Sequence, residues 1–242
     1  MRIIVCGDVH IGAVFGLGRP NGNGGNTRVD DYIKSLNYIV DHAIETKADI
    51  FIQTGDLFEY RDPSIDHMAL VDRALKRLSN ANIATFVIMG NHDYKRNGAS
   101  FTSSITSLAA SEYPNVRMVL DPEVIQVCNK AGGKVNLLLL PYRDRRMYSG
   151  ETTMEQSEEY DDFIKEQVKE AGSEIPIVAV GHNFFYEGSY NDYGGTELMV
   201  RPNSFNGCAA AMMGHLHQFR VLRKTAPVCI YTGSMERSNF GD

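Results

Sequence analysis

The sequence predicts an α/β fold of four layers, an α/β/β/α sandwich of two packed mixed sheets with helices on their outer faces. Three observations carry this. Through the first 110 residues, short β-branched apolar runs alternate with helical patterns. After that, strands dominate and their connections shorten. Five of the apolar runs also end in a glycine followed at once by Asp, Asn or His.

RIIVCG (2–7) reads as the first strand, followed by a Gly/Asn loop, GRPNGNGGN (18–26). Ile33, Leu36, Val40 and Ile44 then recur on one helical face, with Thr27 and Asp30 as a capping box. DIFIQTG (49–55) is the next strand. Met68, Val71, Leu75 and Leu78 mark a second helix, and Ser64 after Pro63 is its predicted N-cap. ATFVIMG (84–90) is a third strand, and a short helix is predicted over 100–110. VRMVL (116–120), VIQVC (124–128) and VNLLLLPY (135–142) follow, with AGGK (131–134) as a hairpin turn. An acidic helix over 153–171 leads to IPIVAVG (175–181). CAAAMMG (208–214), QFRVLR (218–223) and VCIYTG (228–233) complete the strands.

The five glycine-ended strands are IIVCGDVH (3–10), FIQTGDLF (51–58), FVIMGNHD (86–93), IVAVGH (177–182) and AAMMGHLH (210–217). Ligands of α/β sheets bind outside the carboxyl ends of strands. Asp8, His10, Asp56, Asn91, His92, His182, His215 and His217 are therefore expected along one edge. Asp8/His10 and His215/His217 are each two apart, so in extended backbone each pair points one way. Each pair can grip one ion or two neighbouring ions. A single Gly-His or Gly-Asp is usually an ordinary turn; five such tips in order are not. Imidazole, carboxylate and amide oxygen without thiolate favour manganese, iron or zinc over calcium. The set is too large for one ion, so two are expected, manganese first, bridged by a shared carboxylate.

The chain has 242 residues, 43% hydrophobic and 22% charged, which suits one sizeable core. Its net charge of −6 argues against a broad basic nucleic-acid footprint. It equally suits a carboxylate-rich site awaiting cations. Cys6, Cys128, Cys208 and Cys229 form no CxxC and imply no disulfide framework, so a reducing cytoplasm is expected. The apolar N-terminal run is too short for a signal peptide, and no stretch has the ~18 apolar residues of a membrane span. There is no GxSxG and no P-loop, so any use of ATP falls to a partner.

The order GDVH…GDLF…GNHD…GH…GHLH resembles the five-motif signature of calcineurin-like metallophosphoesterases, over residues 7 to 217. The resemblance implies that Asp8, His10, Asp56 and His217 hold one metal. Asp56, Asn91, His182 and His215 hold the other, with Asp56 as the bridge. It implies that His92 faces the scissile phosphate and that Asp93 orients it, both as catalytic residues. GDLFEYRDPS, SNANIATFVIMGNHDY and GHLHQ followed by YTGSMERSNFGD further resemble the SbcD-type DNA repair nucleases, the closing run being the most discriminating part. That family works with an SMC-like ABC ATPase of the SbcC type and implies DNA as substrate. Helices near residues 98–110 imply a homodimer. Some relatives carry a histidine after GDLF where this chain has Glu59. The family also continues into a capping domain and an ATPase-binding tail. Residues 1–242 are accordingly expected as the catalytic domain alone.

The chemistry implied is phosphodiester hydrolysis, with two cations neutralising the phosphate and His92 stabilising or protonating the leaving group. Arg61, Tyr94, Lys95 and Arg96 are the candidate DNA contacts; Arg19, Arg28, Arg143, Arg145 and Arg146 are further rim cations. Phe184, Phe185 and Tyr186 either stack bases or cover the core. Two rival readings stand beside the nuclease. One is a phosphatase or small phosphodiester hydrolase with the same metals. The other is a dead binding scaffold, which predicts lost ligands, whereas every position is filled.

Overall fold

A computed structural model gives the architecture; it describes residues 1–14, 16, 18–22, 25–98, 100–110, 113–186 and 197–237. The strands are β1 (Ile3–Cys6), β2 (Ile50–Gln53), β3 (Ala84–Ile88), β4 (Tyr94–Asn97), β5 (Ser100–Ser103), β6 (Val116–Val119), β7 (Glu123–Cys128), β8 (Lys134–Leu140), β9 (Ile177–His182), β10 (Phe184–Phe185), β11 (Met199–Val200), β12 (Ala210–Gly214), β13 (Arg220–Arg223) and β14 (Val228–Tyr231). The helices are α1 (Thr27–Glu45), α2 (Ile65–Asn80) and α3 (Thr153–Ala171).

Two main sheets form. One has four strands in the order β1-β2-β3-β6; the other has six, β13-β14-β12-β9-β8-β7. Only the six-stranded sheet is mixed. Every pair in the four-stranded sheet is parallel, because helices or long crossovers return the chain after each strand. Three cores separate the layers. Tyr32, Leu36 and Val40 of α1 and Val71, Leu75 and Leu78 of α2 pack on the outer face of the first sheet. Ile50, Ile52, Phe86 and Ile88 meet Leu137, Leu139, Val178 and Val180 between the sheets. Tyr160, Ile164 and Val168 of α3 cover Leu138, Ala179 and Ala211 on the far side. Strands buried on both faces explain why these runs are continuously apolar rather than alternating.

The helix caps follow the sequence at α2 and α3 and shift by one residue at α1. Ser64 does cap α2, accepting from the His67 N–H at 3.2 Å. Thr152 and Glu155 form a full capping box on α3. The cap of α1 is Asn26, one residue earlier than the predicted Thr27; its Oδ1 accepts from the Arg28 N–H, while the Thr27 hydroxyl accepts from Arg19 N. The predicted helix over 100–110 is half wrong. Residues 94–103 form the antiparallel β4–β5 hairpin, and only Ser104–Ala110 turns as a 3-10 helix. The dimer expectation attached to a helix there therefore loses that support. Two residues of the Gly/Asn loop and the end of the closing run, 238–242, lie outside the described residues. Cys6, Cys208 and Cys229 are buried, Cys128 is exposed, and all four are free thiols. No helix among the described residues is long and apolar enough to cross a membrane.

Candidate metal centre

The carboxyl ends of β1, β2, β3, β9 and β12 meet at one edge, and seven predicted metal-binding side chains converge there. They fall into two groups. Asp8, His10 and His217 form one; Asp56, His182 and His215 form the other. Asn91 joins the second, its Oδ1 lying 2.8 Å from His182 Nε2. His215 Nδ1 is 3.1 Å from the same nitrogen, and Asp56 Oδ2 is 3.3 Å from it. In the first group His10 Nε2 faces His217 Nε2 at 3.0 Å. Asp56 Oδ2 is also 3.7 Å from His10 Nε2, so one oxygen lies between the groups, where a bridging ligand must sit. The other oxygen, Oδ1, accepts the His92 backbone N–H at 2.8 Å. The spacing pattern thus worked out unevenly: Asp8 and His10 share a group, whereas His215 and His217 divide between the two.

These residues fit cations on two counts. Nitrogen ligands about 2.0–2.1 Å from a metal lie roughly 3 Å from one another, the separation found here. Asp8 and Asp56 are fully buried, yet among the described residues neither meets a Lys or Arg. Buried carboxylates without a cation are costly. Burial pushes Asp8 upward; at Asp56 burial is outweighed by His182, His10 and His92, which hold the carboxyl well below its usual range. Burial opposes the charged form of His182, but Asp56 and Asp8 together push it up to about 9. Burial and the neighbouring His182 hold His215 down to about 3.

The backbone is built for this crowding. His10, Asp56 and His215 all have positive φ (51°, 52° and 82°), where a side chain costs about 1–2 kcal/mol per residue. Extended geometry therefore does not explain how Asp8 and His10 converge; a turn at His10 does. A Cβ on Gly90 would overlap Asp56 Oδ1, and one on Gly55, itself at φ 108°, would overlap His182 Nδ1. The glycines are needed because a ligand carried by another strand occupies their side-chain space.

Hydrogen bonds set the tautomers. His182 Nδ1 donates to the Thr54 carbonyl at 2.9 Å, leaving Nε2 toward the second group. Glu59, which the sequence marked only as a departure from relatives, does the same for the first group. Its Oε2 is 2.8 Å from His10 Nδ1, and its carbonyl oxygen accepts from His92 Nδ1 at 2.8 Å. That histidine's orientation was assigned to Asp93, and the structure places it elsewhere. The Asp93 carboxylate accepts from the N–H groups of Leu57, Phe58 and Gly90 and from the Ser104 hydroxyl, at 3.0–3.2 Å. It braces the two loops that carry Asp56 and His92. The closing run also backs the first group: Ser234 N donates to His217 O, and Met235 N to Asp8 O.

Glu59→Gln keeps the side chain's size and an acceptor oxygen but removes the charge. We expect metal affinity at the first group to fall about 10–100-fold with the second group spared. Calorimetric metal titration checks this, and equal weakening at both groups would count against the assignment.

The predicted DNA contacts separate into those facing the cavity and those that do not. Arg61 lines an open cavity of about 410 Å³ together with Glu59, Asn91 and His92. Lys95 Nζ is paired with both oxygens of Asp62 at 2.8 and 3.0 Å. Arg96 is exposed, its Nε donating to Gly98 O. Tyr94 is buried against Phe101 and Tyr142 and is not a stacking platform. Phe185 is likewise core, between Phe205 and Tyr231. Phe184 lies edge-on to His215 with ring centroids 4.0 Å apart, a cover over that ligand. Tyr186 carries the Arg201 guanidinium 5.6 Å above its ring. With Lys95, half of the rim cations are in ion pairs: Arg28 with Glu236, Arg143 with Asp121, Arg146 with Asp144.

The fold and the two donor groups define a metal-dependent phosphoesterase. The chain belongs to the calcineurin-like phosphoesterase family, which matches residues 1–219. Among curated proteins it is similar to the DNA double-strand break repair protein Mre11 of Methanosarcina mazei, 29% identical over 96 residues, or 40% of this chain and 14% of that protein. Mre11 of Sulfurisphaera tokodaii is 31% identical over 96 residues, again 40% of this chain and 24% of the relative. The match thus spans under a quarter of the length of these proteins. Among solved structures, a dimetal phosphatase from Danio rerio superposes with a TM-score of 0.56 at 10% identity, covering 96% of this chain and 87% of that one. A Thermus thermophilus protein, TT1561, gives 0.53 at 12% identity, covering 96% and 89%. At such identities the structural likeness speaks to the fold alone.

Proposed function

We propose that this chain is a dimetal phosphodiesterase that cuts DNA, an exo- or endonuclease of the SbcD type serving double-strand-break processing or recombination. The observation that carries the hydrolytic reading is the pair of donor groups sharing Asp56 Oδ2 beside His92. DNA as substrate is supported by the inter-motif text and by the Mre11 relatives. The metals, manganese first, would be held by Asp8, His10, Asp56, Asn91, His182, His215 and His217. Cations held there would supply charge neutralisation for a phosphodiester and a lowered pKa for a bound water.

The protein's own groups supply the rest. Nδ1 of His92 is committed to the Glu59 carbonyl, so the ring is held with Nε2 available to the cavity. When the ring is protonated, that nitrogen can give its proton to the leaving oxygen while the other stays on Glu59. The His92 N–H on Asp56 Oδ1 ties the loop that carries the shared carboxylate to the loop that carries the acid. Phe184 and the buried strand ends keep bulk water from the far side of the site. On the same reading the chain works with an SMC-like ABC ATPase of the SbcC type and pairs as a homodimer. Both rest on the family resemblance, and sedimentation at micromolar concentration tests the dimer.

Incubation with manganese and single-stranded, flapped and duplex DNA, beside a phosphopeptide and 4-nitrophenyl phosphate, tests the substrate. Cleavage of flexible DNA is expected. Turnover of the phosphomonoesters alone would favour the phosphatase reading. Because half of the rim cations are already paired, few phosphates are neutralised, and each contributes about −0.7 to −0.9 to the logarithmic salt slope. A shallow slope of roughly −2 to −3 is expected; a much steeper one would show that the paired cations exchange their partners for DNA.

A further inference from the structure

Acidic residues outnumber basic ones 30 to 24 in this chain, and the metal centre is built on Asp8, Asp56, Glu59 and Asp93. Beside it, nevertheless, lies a pocket of about 150 Å³ onto which three arginines, Arg61, Arg96 and Arg146, converge. Arg61 and Asn91 line both this pocket and the cavity at His92. The two spaces therefore adjoin across a single wall, one member of which is a predicted metal ligand.

The pocket's acids offset only one of its three arginines by an ion pair. Asp144 is spent on Arg146, accepting from its Nε at 2.8 Å, from its NH2 group and from its backbone N–H at 3.0 Å. That fork holds Arg146 in place. Arg96 gives its Nε to the Gly98 carbonyl, which leaves its terminal NH2 groups. Among the described residues Arg61 makes no ion pair. Glu197 is the remaining acid, and its carboxyl shares a hydrogen bond with Tyr142, which lines the same pocket. Forked guanidinium groups match phosphate oxygens in geometry as well as charge, and a lysine would not match them in the same way.

We propose that this pocket binds a second phosphate of the substrate, one flanking the phosphodiester that is cut. The proposal rests on the phosphodiesterase reading and sharpens it. A substrate with a single phosphate occupies the metal centre alone. An oligonucleotide, or a nucleotide with a terminal phosphate, occupies both places. The pocket thus selects chains of phosphates over isolated esters. An internal and a terminal phosphate present the same chemistry to three arginines.

The test compares the dinucleotide TpT with pTpT, TpTp and the trinucleotide TpTpT, with bis(4-nitrophenyl) phosphate as a single-phosphate reference. In the wild-type protein with manganese, adding a phosphate on one side of the cut is expected to raise kcat/KM about tenfold or more. In the double variant Arg61→Ala/Arg96→Ala that ratio is expected to fall to near one. Arg61→Lys/Arg96→Lys should restore only part of it. TpTpT gaining as much as the end-phosphorylated dinucleotide indicates an internal phosphate; a gain confined to pTpT or TpTp indicates a terminal one. A wild-type ratio near one, or a ratio that survives the double alanine variant, overturns the proposal. Calorimetric binding of pTpT and TpT in calcium gives the same comparison without turnover. Hydrolysis of none of these substrates, with phosphate-dependent binding intact, sinks the phosphodiesterase reading and leaves the pocket standing.

Discussion

Asp56→Asn empties both halves of the metal centre. Elemental analysis of the variant is expected to show both ions lost, against about two per chain in the parent, whereas His217→Ala should lose mainly the first. The reason is the position of Asp56 Oδ2, 3.3 Å from His182 Nε2 and 3.7 Å from His10 Nε2. A second readout needs no metal. Burial alone would depress His182, and Asp56 is the leading influence that lifts it to about 9. A proton on Nε2 must leave before that nitrogen can donate to a cation, so metal uptake tightens as pH rises toward about 9. In metal-free Asp56→Asn protein, His182 should titrate well below about 9 by NMR. Unchanged metal occupancy in the variant would remove Asp56 from the bridging role.

His92→Ser separates chemistry from binding. The ring contributes to the transition state and, in this reading, to neither metal, so both ions and DNA affinity are expected to persist while kcat falls about 10²–10⁴-fold. The serine keeps the backbone N–H that donates to Asp56 Oδ1, so the bridge is undisturbed. Loss of metal from this variant would make His92 a ligand. That outcome has a structural route, since His10, Glu59 and His92 also cluster closely enough to hold an ion.

Much of this was legible in the chain. Each ligand-bearing tip announces itself because a buried parallel strand is a continuous apolar run and its end must turn sharply to free the ligand. Gly55 and Gly90 are visible for that reason, although what fills their missing side-chain space, His182 and Asp56, is not. The β4–β5 hairpin was missed because YKRN and SFTS are polar and lie beside solvent, so neither alternation nor an apolar run marks them. The two-residue strands β10 and β11 are too short to carry any period. Glu59 was read as an absence, a histidine not present, since its contact with His10 crosses 49 positions of sequence. Tyr94 as a DNA contact fails, and Phe185 stays open in the sequence, for a different reason: an aromatic beside a site has the same composition whether it covers substrate or fills core.

The division of the ligands between the sheets has a mechanical consequence. Asp8, His10, Asp56 and Asn91 follow strands of the parallel sheet, while His182, His215 and His217 come from the six-stranded one. Each ion would therefore draw donors from both sheets, riveting them at one rim of the sandwich. The apolar layer between them resists separation, but its individual contacts are weak and non-directional. Metal–ligand bonds are directional, so ions held by these residues would restrain both translation and rotation at that rim. Shear between the two halves is then expected to be smaller in the loaded protein than in the empty one.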